Sequence, residues 1–164
     1  MVVIASVAVS GGASTIIDIW SRRVPNILTL GIAALGTCVA ASHMGRVSVG
    51  AALAGFVLGF VLMLPGHLVG GTGAGDVKLF AAIGTLLGPT GIAVAFVYTA
   101  IAGGLLALFV AVRRRRLQIT VERTATFVTS GGRNVGEIEH GAANNRFAYA
   151  PAIALGTLAA ALGF

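Results

Sequence analysis

Long lipid-soluble runs, broken only by brief polar interruptions, dominate the chain. Uncharged stretches extend from Met1 to Ile17, Val24 to Gly45, Val47 to Gly75, Leu79 to Val112 and Phe147 to Phe164. Several match the roughly 20 residues that a helix needs to cross a hydrocarbon core of about 30 Å. Transmembrane β-strands alternate apolar and polar residues over about ten positions, and continuous apolar runs do not fit them. The pattern therefore predicts an all-α, polytopic membrane protein of about six helices: Val2 to Trp20, Ile27 to Met44, Val47 to Val69, Asp76 to Leu87, Gly91 to Val112 and Ala148 to Gly163. The fourth is short: at 1.5 Å per residue it reaches only about 18 Å. Asp76 is thus expected to be recessed from the membrane surface, behind a turn built from Gly70, Gly71, Gly73 and Gly75. Non-helical backbone at that depth requires protein or a water-filled cavity to satisfy it.

Composition agrees with this reading. The chain is 57% hydrophobic and 10% charged, with a mean hydropathy of +0.96, too apolar for an ordinary soluble domain. A formal charge of +6 raises nucleic acid as a partner, but the positions of the cations follow membrane topology instead. With the N-terminus outside, all of the eleven Lys and Arg residues except Arg46 fall on one face, which the positive-inside rule makes cytoplasmic. An even number of crossings leaves the C-terminus outside as well. The N-terminal run has no basic stretch before it and is read as a retained helix rather than a signal peptide. Residues 1–164 form one integral membrane domain, with 113–146 as a polar cytoplasmic loop in which Leu117, Ile119 and Val121 alternate with polar residues as a short strand would. The lone Cys38, within an apolar run, is expected to be a small buried thiol.

Chemistry is concentrated in two residues. Asp18 and Asp76 are the only aspartates, and a carboxyl set in membrane sequence is costly enough to imply a function. Two crossings separate them, so both fall at the same face and can meet. Carboxyls brought together in a low-dielectric site do not readily ionise together and hold one proton between them. One oxygen can then act as a base on water while the protonated partner polarises a peptide carbonyl. This chemistry needs no metal or cofactor, and His43, His67 and His140 do not fall at metal-ligand spacing. Activity against pH is accordingly expected to be bell-shaped and insensitive to chelators. A surface ion pair of Asp18 with Arg22, four residues on, is the simpler alternative for Asp18. Asp76 can also serve as the N-cap of the fourth helix.

Three stretches, Asp18-Ile-Trp-Ser-Arg-Arg-Val-Pro-Asn26, Gly73-Ala-Gly-Asp76-Val-Lys78-Leu and Ala148-Tyr-Ala-Pro151-Ala-Ile-Ala-Leu-Gly156, give the chain its resemblance to the type IV prepilin peptidases. These are membrane aspartyl proteases of the Gly-x-Gly-Asp type, distantly similar to preflagellin peptidase and presenilin. The resemblance implies that Asp18 and Asp76 are the catalytic dyad. It also implies that the substrate is a type IV pilin or pilin-like precursor with a hydrophobic N-terminal helix, its leader cut at the cytoplasmic face of the cell membrane. The chain is most similar to the short forms associated with tight-adherence (Flp-type) pili. It lacks the four-cysteine N-terminal region of the larger members, so N-methyltransferase activity is not expected.

Gly73, Gly75, Lys78, Pro25, Asn26 and Pro151 are read as shaping the site. Lys78 is a topology anchor or substrate contact, and Pro25 and Asn26 set the start of the second helix. His67 is read as a hydrogen-bonded interior residue and Pro65 as a tolerated kink. Glycine substitutions follow from the recessed turn: Gly75→Val should lower cleavage, whereas Gly84→Ala, inside the fourth helix, should be nearly silent. The rival readings are a small proton-coupled transporter or channel that uses the carboxyls as a relay, and a noncatalytic assembly subunit.

Overall fold

A computed structural model describes residues 2–21, 25–42, 47–68, 71–113 and 149–163. The expected strand at 117–122, the cytoplasmic loop beyond Arg113, Arg22, Arg46, His43 and His140 lie outside the described residues. Every element among the described residues is an α-helix: α1 (Val2–Ser21), α2 (Asn26–Ala41), α3 (Val49–Leu68), α4 (Ala74–Arg113) and α5 (Ala150–Gly163). In place of separate fourth and fifth helices, α4 runs for 40 residues and is interrupted at Gly88, whose φ of 69° and ψ of −179° are non-helical. That conformation is open essentially to glycine alone. Pro89 then restarts the helix where its missing N–H costs nothing. Two segments, Val49–Leu68 and Ala74–Phe109, are long and apolar enough to cross a membrane, while those of α1, α2 and α5 are shorter apolar helices.

The first half of α4 is the centre of the bundle. Leu79, Phe80, Ala81, Ala82, Ile83 and Leu86 are all buried, so successive residues on every side of the helix are covered. A helix apolar all round must be packed all round. α3, α5 and α2 pack against α4, and α1 rests on α5 and more lightly on α4. α1 and α2 follow one another in the chain yet share no substantial packing.

Small residues set how closely these helices approach, as is usual where apolar burial alone does not distinguish one helix face from another. Gly55 of α3 and Gly84 of α4 meet backbone to backbone, and a β-carbon on Gly84 would lie 2.7 Å from the Gly55 carbonyl carbon. This overturns the expectation that Gly84→Ala is silent. Gly84 faces another main chain rather than empty space. Gly36 of α2 instead faces the Thr85 side chain, whose Cβ would lie 2.8 Å from an added β-carbon. Cys38 is exposed rather than buried, because α2 turns Thr29, Ile32, Gly36 and Ala40 inward and Cys38 falls on the other side.

Candidate active site

Asp18 lies in the last turn of α1, on the stripe the helix turns inward. Val7, Ser10, Ser14 and Asp18 are all buried, spaced three or four residues apart so that they share one side. The Ser14 hydroxyl donates to the Ser10 carbonyl oxygen at 2.7 Å, so its polarity is satisfied within the helix. Asp18 is only 7% exposed, while Arg22, its alternative partner, lies outside the described residues. Its carboxyl accepts a hydrogen bond from the backbone N–H of Ala150, while its Oδ2 is buried without a hydrogen-bond partner.

The other carboxyl is positioned by the turn before α4. The N–H groups of Gly71 and Thr72 donate to the Gly66 carbonyl oxygen at 2.9 and 3.2 Å, folding the chain back against the end of α3. His67 Nδ1 lies 2.9 Å from the Thr72 carbonyl oxygen, so this half-buried histidine braces the turn as a hydrogen-bonded residue. Helix α4 then begins at Ala74, two residues before the expected start. The Gly73 carbonyl oxygen accepts from the N–H groups of Asp76, at 3.0 Å, and Val77, at 3.3 Å. Gly73 is therefore the cap, and Asp76 is the third residue of the helix rather than its N-cap. The Gly73 N–H in turn donates to Asp76 Oδ2 at 3.1 Å, the reciprocal bond of a capping box.

Each carboxyl is thus held by a backbone N–H at the start of a helix, Asp76 by its own α4 and Asp18 by α5. The positive ends of two helix dipoles face the pair. Asp76, like Asp18, is only 7% exposed, and the two carboxyls are close enough for the charge of one to act on the other. The structure therefore brings together residues that stand far apart in the chain.

The remaining predicted site residues sort into two groups. Gly73, Gly75 and Pro151 belong to the immediate frame: Gly73 caps α4, Gly75 lies in its first turn, and Pro151 follows Ala150 in the first turn of α5, where a missing N–H is harmless. Gly73 is needed for space rather than for an unusual φ, since Gly88 is the positive-φ glycine among the described residues. A β-carbon on Gly73 would lie 3.1 Å from Asp76 Oδ2. We expect Gly73→Ala to displace that carboxyl and slow cleavage on the order of ten- to a hundredfold while leaving the amount of folded protein unchanged, as measured by turnover per purified molecule. Pro25, Asn26 and Lys78 form the second group, at the exposed rim. Pro25 caps α2, and the Lys78 ammonium donates to Asn26 Oδ1 at 3.0 Å, joining the start of α2 to the first turn of α4.

Sequence reading included Tyr149 and Ala150 in one of the resembling stretches but gave neither a place at the site. The Tyr149 carbonyl oxygen accepts from the N–H groups of Ala152, at 3.0 Å, and Ile153, at 3.2 Å, making it the cap of α5. The signal was the stretch Ala148-Tyr-Ala-Pro151 that starts the last apolar run, but a main-chain donor has no residue type to betray it. Among the described residues no three His, Cys, Asp or Glu side chains gather as metal ligands.

The chain matches the type IV leader peptidase family over residues 5–108, a span that includes both aspartates. It belongs to the type IV leader peptidase family. Membership in this peptidase family, together with the apolar helices, makes it a membrane-associated protease of the leader peptidase type. No curated protein and no solved structure matches the chain. The leader peptidase match ends within α4, so α5 and its contact with Asp18 come from the tertiary structure alone.

Proposed function

We propose that this leader peptidase is an aspartic endopeptidase embedded in the cell membrane, with Asp18 and Asp76 as its dyad, which removes the leader of a pilin-like precursor at the cytoplasmic face. The observation that carries the reading is the convergence of two buried carboxyls, each held by a helix-terminal N–H. One carboxylate takes a proton from water as the water oxygen adds to the scissile carbonyl carbon, and the protonated partner gives its proton to the carbonyl oxygen. The tetrahedral intermediate then collapses, the C–N bond breaks, and the leaving amine takes up a proton from the dyad. Overall one water is consumed, giving a carboxyl on the leader and an amine on the mature precursor. Neither metal nor cofactor takes part.

Both carboxyls sit near helix ends, Asp18 in the last turn of α1 and Asp76 in the first turn of α4. That position suits a bond presented at the membrane surface better than a relay through the midplane, and family membership also favours a peptidase over a transporter. The precursor's hydrophobic helix would approach through the bilayer. The lack of packing between α1 and α2 is consistent with approach between them, and the Lys78–Asn26 pair would flank the entering segment.

The proposed topology counts the two parts of α4 separately, giving six helices in one domain over residues 1–164. The part before Gly88, residues 74–87, reaches about 21 Å at 1.5 Å per residue and leaves Asp76 recessed. Cysteine labelling in intact cells and in inverted vesicles should place Arg22, Arg115 and Arg133 inside, and Arg46 and Phe164 outside. A cytoplasmic Phe164 would contradict the even count. Co-expression with a pilin precursor tests the activity directly: wild type should release the leader and Asp76→Asn should not.

A further inference from the structure

Tyr149 caps α5 next to the main-chain group that holds Asp18. It immediately precedes Ala150, whose N–H donates to Asp18, and its hydroxyl lies within reach of the charge on Asp76. Its ring is seated on α4 at Gly103, where a β-carbon would come within 2.7 Å of both the Tyr149 hydroxyl oxygen and Cε2. A glycine at that point leaves room for the ring edge and the hydroxyl against the helix. Tyr149 caps α5 and Gly103 belongs to α4, so this seat exists only in the folded bundle. Tyr149 is only part-buried and packs against the apolar core. A tyrosine carries a hydrogen-bond donor at the end of an apolar ring, and the proposed reaction creates an acceptor, the developing oxyanion, at the dyad.

We propose that the Tyr149 hydroxyl is a third catalytic group, donating a hydrogen bond to the scissile carbonyl oxygen as the tetrahedral intermediate forms. The proposal rests on the aspartic endopeptidase reading. While the protonated carboxyl gives its proton to the carbonyl oxygen, negative charge builds there before the transfer is complete. A donor already aimed at that oxygen stabilises the transition state without reorganising. Tyrosine suits this role because it donates without competing for the proton that the dyad must hold. Gly103 is then a positioning residue that acts through the ring.

The test uses the full-length purified enzyme in detergent and a purified type IV pilin precursor that retains its hydrophobic helix. Tyr149→Phe keeps the ring and removes the donor, so kcat should fall about a hundredfold, the scale of losing one such donor, with KM within about threefold and an unchanged melting temperature. Gly103→Ala, which pushes the ring aside, should lower kcat comparably, and Tyr149→Phe should then cost little more in the Gly103→Ala background. Gly104→Ala, whose β-carbon meets nothing within 4 Å, should behave as wild type. Turnover by Tyr149→Phe within about threefold of wild type, or a loss confined to KM, would overturn the role of Tyr149. If Asp76→Asn is inactive in the same assay, the dyad stands and only the third group falls. If Asp76→Asn turns over normally, the endopeptidase reading itself fails.

Discussion

Asp18→Asn and Asp76→Asn should each abolish leader removal, by several orders of magnitude per folded molecule, while both variants insert and accumulate. Asparagine is close in shape to aspartate and keeps an oxygen that can accept from the Ala150 or Gly73 N–H. The framework around each site should therefore persist. What disappears is the capacity to take and return a proton, which both halves of the proposed reaction need. Removing a buried charge relieves a desolvation cost rather than adding one, so a drop in folded protein is not the expected cause of inactivity. The measurement is cleavage of a pilin precursor by purified wild type and variants, normalised to protein that remains monodisperse in detergent. Processing within tenfold of wild type by either variant would rule out the paired-carboxyl mechanism.

Gly84→Ala should strongly destabilise the bundle even though it adds a single methyl group. The new carbon would point at the Gly55 carbonyl and lie 2.7 Å from its carbon, and it would approach the Phe56 backbone nitrogen to 3.2 Å. The obstacle is main chain on a neighbouring helix, which cannot swing aside as a side chain can. α3 and α4 must separate, disturbing the most extensive helix contact among the described residues and the buried residues Leu79 to Ile83 beside it. Overpacking of this kind typically costs about 1–3 kcal/mol, and more where backbone must move. Thermal unfolding in detergent should show a clear drop for Gly84→Ala and for the reciprocal Gly55→Ala. Gly12→Ala, whose β-carbon meets nothing within 4 Å, should melt with wild type. If Gly84→Ala melts with wild type too, the close approach of α3 and α4 is wrong.

The same glycine marks where sequence reading stopped. Read along one helix, Gly84 is a small residue in an apolar run with no feature to separate it from Gly104. Its consequence depends on the rotation of α3 and α4 about their axes, and thus on packing between segments far apart in the chain. The break between Leu87 and Gly91 was legible in advance, though not the φ of Gly88, because its cause is local: a glycine followed by proline interrupts a helix whatever packs nearby. The two aspartates were legible for a thermodynamic reason, since carboxyls are rare and expensive in lipid-soluble sequence. Their position on one face followed from counting crossings.

By itself, then, the sequence determined that the chain is helical, where the apolar segments lie, and which two carboxyls are the candidates for chemistry, because run length, charge and the cost of burying ions act through composition and near neighbours. Only the tertiary structure decided that Gly73 rather than Asp76 caps α4, that Lys78 reaches Asn26, that Ala150 supplies the N–H holding Asp18, and that Tyr149 lies over Gly103. Those outcomes depend on distances between helix ends and faces that meet only after the bundle packs, and two of them involve backbone groups that every residue shares.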